Sequence, residues 1–200
     1  MPKGWPIVGW VALGLGVMCV AITALSGTDE TAVRLVLRAT ARTSVVLFLL
    51  AFTASALQRT WPTPASRWLV ANRRYLGVSF ATSHFVHLMA ILTLAGWSLA
   101  RLVEMTAAGP LVLGALAYAF IAAMTATSFD RTAAWLGPRR WQRLHTVGAW
   151  TIWLVFTLTF VPLTLRSVLY WPFALLLVAA PALRMGLLRS ARIAVPASSR

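Results

Sequence analysis

Three histidines are the only imidazoles in the chain: His84, His87 and His145. Each lies in or at the end of a long apolar run, where an ionisable side chain is costly and marks a functional hypothesis by default. His84 and His87 stand at i and i+3, roughly on one face of a helix, and His145 opens another run. A neutral imidazole is a common ligand for haem iron, and histidines facing the interior of a helical bundle are a usual way to hold it. Spacing alone leaves a second reading open, in which each ring makes an interhelical hydrogen bond and His145 serves an interface. The single cysteine, Cys19, sits inside the first apolar run, which excludes an intrachain disulfide and a cysteine-based metal cluster.

Arginines and tryptophans supply the other candidate groups. Arg34, Arg38 and Arg42 follow i, i+4, i+8 spacing and stack along one helix face. They read either as a clamp for haem propionates or another anion, through bidentate guanidinium contacts, or as side chains that snorkel to lipid phosphate with help from Asp29 and Glu30. Of ten tryptophans, Trp5, Trp10, Trp61, Trp68, Trp97, Trp135, Trp141 and Trp171 fall near the ends of apolar runs and read as interfacial belts. Trp150 and Trp153 lie within a run, where they pack either on a porphyrin face or in the bundle itself. Asp130 reads as a local partner for Arg131 or a helix cap, and Glu104 as a solvated loop residue.

The elements that must position these groups follow from composition. The chain has 200 residues, 60% hydrophobic and only 11% charged, with a mean hydropathy of +0.78. Soluble domains carry about 25% charged residues, so this chain belongs in a bilayer. A spanning helix takes about 20 residues, and six windows qualify: Pro6–Leu25, Leu35–Leu57, Tyr75–Leu99, Leu111–Thr127, Leu144–Leu165 and Tyr170–Leu187. The fold class expected is all-α, a single integral-membrane six-helix bundle over residues 1–200. Ala24-Leu25-Ser26 before Gly27 resembles a signal-peptidase site, but the apolar run exceeds the roughly 7–15 residues of a signal h-region, so the first run is read as a span.

Eighteen basic against four acidic residues give a net charge of +14, which in so apolar a chain reads as membrane-flanking charge rather than a nucleic-acid surface. Placing the N-terminus in the cytoplasm puts thirteen basic residues inside and five outside. Both termini are therefore expected on the cytoplasmic side of the membrane.

Two segments carry a family resemblance. Arg73-Arg74-Tyr75-Leu76-Gly77 leading to His87-Leu88, and Leu136-Gly137 followed by Trp141-Gln142-Arg143-Leu144-His145, resemble the core of the ferric-reductase-like transmembrane family. The nearest flavour is the haem-binding membrane subunit of bacterial periplasmic methionine sulfoxide reductase, and the resemblance covers about spans two to six. It implies six helices, haem b held between the third and fifth, and electrons moved across or into the membrane. His87 and His145 match family ligand positions, whereas Arg73 and Leu158 stand where two-haem members carry partner histidines. His87 and His145 differ in level by roughly 20 Å at about 1.5 Å per residue, too far to share one iron without a shift of the helices. The resemblance thus implies one haem in preference to two, with the second axial ligand open between water, a methionine and a displaced histidine.

The expected function is that of an integral-membrane b-type cytochrome, relaying electrons from a quinol or a separate flavoprotein to a separate acceptor, with quinone as a further candidate cofactor. No glycine-rich strand-turn-helix unit is present to hold a flavin or nicotinamide. The alternative is a haem-free accessory or transport protein that stabilises a partner. The lack of an intramembrane carboxylate argues against proton-coupled transport and leaves the accessory role standing.

Overall fold

In lipid every backbone N–H and C=O must find a partner within the protein, which a helix does within its own segment. The computed structural model describes residues 2–186 and contains no strand among them. In chain order the helices are α1 (Trp5–Ser26), α2 (Glu30–Thr60), α3 (Pro64–Ala71), α4 (Arg73–Leu94), α5 (Leu99–Met105), α6 (Ala108–Ala126), α7 (Asp130–Leu136), α8 (Pro138–Leu163) and, after a 3-10 turn at Val168–Tyr170, α9 (Trp171–Met185). Six are long and apolar enough to cross a membrane: α1, α2, α4, α6, α8 and the turn continued by α9. The protein is a multi-pass, all-α membrane bundle. Leu187, which closes the sixth apolar window, lies outside the described residues, as do Arg189, Arg192 and Arg200.

Caps rather than hydropathy set the helix ends. Asp29 accepts a hydrogen bond from Ala32 N at 3.0 Å and starts α2 at Glu30, ahead of the window that opens at Leu35. The third span stops at Leu94, short of Leu99, because Gly96 and Trp97 take φ of 60° and 59° and turn the chain out of the helix. Segments read as plain connections form short helices instead. A reciprocal box between Thr63 and Ser66 opens α3, and Gly137, at φ 77°, ends α7 and begins α8 within a single residue. That left-handed φ is open to glycine at little cost.

The spanning helices α2, α4, α6, α8 and α9 meet in that order, and α9 returns to α2, which closes a ring; α1 lies outside it against α4 and α2. Phe48, Phe52, Phe80, Phe156 and Phe160 fill the ring interior, with neighbouring centroids 5.1–6.1 Å apart. Polar atoms inside the spans are mostly tied back. Thr53, Thr82 and Thr157 donate to carbonyls one turn earlier, at 2.7, 3.0 and 2.8 Å, and Ser44 meets Ser83 across α2 and α4 at 2.9 Å.

Pro181 has no N–H to offer Leu177 O one turn back in α9. Trp153 Nε1 donates to that carbonyl at 2.8 Å, so an α8 side chain satisfies a backbone group that proline has freed.

Six crossings bring the start of α1, the end of α2, the start of α4, the end of α6, the start of α8 and the end of α9 to one face. Contacts among these ends tie it together: Gly4 N donates to Asn72 Oδ1 at 3.0 Å, Trp68 Nε1 to Pro2 O at 2.9 Å, and Arg74 Nη1 to Asp130 Oδ1 at 2.6 Å. We refer to it as the terminal face.

Candidate functional site

The ring interior is closed by phenylalanines at mid-depth and opens toward the terminal face into a cavity of about 760 Å³. This lies within the range of about 300–1,000 Å³ typical of small-molecule and cofactor sites. Phe48, Phe52, Phe80, Ile121 and Ile152 form its apolar floor, while His145, Gln142, Arg73, Arg74 and Arg184 line it nearer the face. The arrangement is amphipathic, with a greasy depth below a rim of guanidinium groups.

Each rim arginine is held by a neighbouring element. Arg73 Nε donates to Ala51 O at 3.0 Å and its Nη1 to Ser55 Oγ at 3.4 Å, both on α2. Arg184, in the last turn of α9, places its Cζ 4.2 Å over the Phe52 ring and donates from Nη1 to Phe52 O at 3.2 Å. Arg74 is bridged to Asp130, whose side chain is 95% exposed, and its own Nε is buried without a partner. Among the described lining residues three arginines stand with one carboxylate, Asp130, which bridges Arg74, a surplus of positive charge that suits an anionic ligand.

His145 lies one turn before Gly148, where α8 meets α6. Its ring stacks on Trp141 with centroids 4.1 Å apart, and its Nε2 lies 3.2 Å from Thr127 Oγ1. Thr127 gives its own proton to Ala123 O at 2.8 Å, so its oxygen accepts from Nε2–H. The Nδ1 lone pair is then the one not used by this bond. A ring held by a bond from one nitrogen while the other carries a lone pair is the arrangement expected of a metal-ligating imidazole.

The structure brings together Arg73 and His145, which the family resemblance set at one level, and places the other candidates elsewhere. His87 lies between α4 and α2, with Nδ1 3.1 Å from both Leu37 O and Thr40 Oγ1. A carbonyl only accepts, so His87 Nδ1 carries the proton. His84 stacks on His87 and on Tyr118, at centroid distances of 5.2 and 4.9 Å, and its Nδ1 is buried without a partner. Tyr118 closes this group by donating from its hydroxyl to His84 O at 3.2 Å. Neither His84 nor His87 lines the cavity at the terminal face.

The arginine stripe does not line this cavity. Arg34 pairs with Glu30 at 2.6 Å on the surface, Arg38 is exposed, and Arg42 turns toward Tyr170, with its Cζ 5.1 Å from the ring centroid. Nor do Trp150 and Trp153 line the cavity, although Trp141 does. Trp153 is committed to Leu177 O, and Trp150 packs edge-on against Phe52 at 5.3 Å. Leu158, where the resemblance implies a lost partner histidine, is 53% exposed on the outer surface of α8.

Sequence reasoning passed over Arg74 and Arg184 as site residues. Arg74 was visible as the neighbour of Arg73 in the same motif, whereas only the ring closure of α9 on α2 brings Arg184 to the cavity. No family model, no curated protein and no solved structure matches this chain.

Proposed function

We propose that this chain is an integral-membrane b-type cytochrome of the ferric-reductase-like class, which takes electrons from a quinol or a separate flavoprotein and passes them to a separate acceptor. The observation that carries the reading is the cavity at the terminal face, where His145 and three arginines stand over an apolar floor. The donor set fits a haem b. His145 offers an imidazole nitrogen for the iron, with its ring orientation set by Thr127, and Arg74 and Arg184 offer guanidinium groups to two carboxylates. Haem, when bound, supplies a one-electron iron couple that no side chain of this chain supplies. Phe48, Phe52 and Phe80 keep water from the depth of the site, and the guanidinium groups offset the anionic edge of the ligand. The two motifs that resemble the family meet here, since Arg73 and His145 line one cavity.

The basic asymmetry of thirteen residues to five supports a cytoplasmic terminal face in a bacterial-type inner membrane. The cavity then opens to the cytoplasm, within reach of a soluble flavoprotein, while a quinol would approach from the lipid. The test is colour. Protein purified from cells supplied with haem precursor should show a Soret band and, on reduction, an α-band, and His145→Ala should lose both while remaining folded by circular dichroism. Colourless protein under these conditions would refute the reading in favour of a haem-free accessory or transport protein.

A further inference from the structure

The two sides of the cavity differ in chemistry. One wall is built by α6 and α8, which carry His145 and, beside it, Met124, whose thioether packs against Gly148 one turn along α8. The other wall comes from α2, which stands across the ring from that pair, and from α4, which joins α2 to α6. Above the phenylalanines of the floor their wall presents Ala51, Gly77 and Ala81 together with Arg73 and Arg74, and neither these residues nor Phe48, Phe52 and Phe80 carry a nitrogen or sulfur able to ligate iron. Arg73 cannot substitute for a histidine, since a guanidinium stays protonated at any ordinary pH. Met124, the one thioether among the described lining residues, lies on the histidine's own side. A ligand on that side cannot serve the opposite face of a planar macrocycle.

We propose that a haem in this cavity is ligated by histidine on one side only, and that its opposite side is an open binding position for a small anion, flanked by the Arg73 guanidinium. The inference rests on the haem reading above and deepens it. It separates this chain from a closed bis-histidine relay, because small-molecule binding at iron requires an accessible coordination position. Small residues face that position, and a Cβ built on Gly77 meets nothing within 4 Å. There is room for a small ligand, and there is also room to fill the space by substitution without breaking the helix contact. The nearby cation makes an anion the favoured occupant over a neutral molecule of the same size.

The experiment uses the full chain, purified with haem in detergent, and reads spectra rather than turnover. The ferric protein should give a high-spin electron paramagnetic resonance signal, and azide should convert it to low spin with a saturable shift of the Soret band. Arg73→Gln should weaken azide binding about tenfold or more, as expected for loss of a charge-assisted contact, with haem content retained. Gly77→Leu should retain haem and lose the azide response. The double variant His84→Ala, His87→Ala should keep both the haem and the azide response, and His145→Ala should lose the haem. A low-spin bis-histidine signal with no azide response would overturn the proposal, and so would haem that survives His145→Ala and disappears in the His84, His87 variant. Both of those results leave a membrane cytochrome standing, whereas protein that never takes up haem overturns the proposal and the functional reading together.

Discussion

Gly148 is where α8 takes the side chains of Met124 and Phe120 from α6 beside the cavity, and Gly148→Ala tests whether that close packing is what shapes the site. A Cβ built there overlaps Met124 Sδ outright and sits 3.1 Å from Phe120 Cδ1 and 3.4 Å from Met124 Cγ. Overpacking of this kind costs about 1–3 kcal/mol. Exchanging glycine for alanine within a helix returns about 1 kcal/mol through propensity. The expected net loss is therefore about 0–2 kcal/mol from these two opposing terms, a fall of up to a few degrees in the thermal midpoint. Met124 lines the cavity, so its simplest escape is into that space, and ligand occupancy should fall as well.

Met124→Ala removes the overlapping atoms, and in that background Gly148→Ala should cost little or nothing. Thermal unfolding in detergent, followed by tryptophan fluorescence on the four members of a double-mutant cycle, measures the coupling, expected at about 1–3 kcal/mol. Additive effects of the two substitutions would show that α6 and α8 are not held at this distance by Gly148 and Met124, and the account of the cavity wall would fail with it.

Three shorter predictions concern the scaffold and its orientation. Trp153→Phe keeps the ring and removes the donor to Leu177 O, which leaves the carbonyl freed by Pro181 unpaired in the span; a loss of about 1–3 kcal/mol is expected, and an unchanged thermal midpoint would refute that role. Ser44→Ala and Ser83→Ala each strip one partner from a fully buried pair, so the double variant should be less destabilised than the sum of the singles. Cytoplasm-active reporters fused at either terminus should be active and periplasm-active ones silent; a periplasmic signal at the C-terminus would overturn the topology.

The six-span bundle was legible because hydropathy is a local property: about 20 apolar residues in a row have few stable states other than a spanning helix. Helix ends were read less well, because they are set by single contacts. Asp29 capping Ala32 N lengthens α2 at its start, and left-handed Gly96 and Trp97 shorten α4. The proline that frees Leu177 O is local to α9, but the donor that replaces its missing N–H is not, since the bond from Trp153 joins residues 24 apart in the chain.

For the site, residue types and helical phase picked out His84, His87 and His145 as the imidazoles that a bundle could use, and charge counting separated a basic face from a less basic one. Tertiary structure alone decided which of these groups share a space. His84 and His87 turn into the packed contacts of α4 with α2 and α6, while His145 meets Arg73, Arg74 and Arg184 at the cavity. Arg184 reaches that cavity only because α9 closes the ring on α2, 132 residues away from its Phe52 partner. Periodicity places a side chain on a helix face, but the faces that confront each other depend on how the helices are ordered around the ring. That order is set by packing summed over all of them, which no local stretch of sequence encodes.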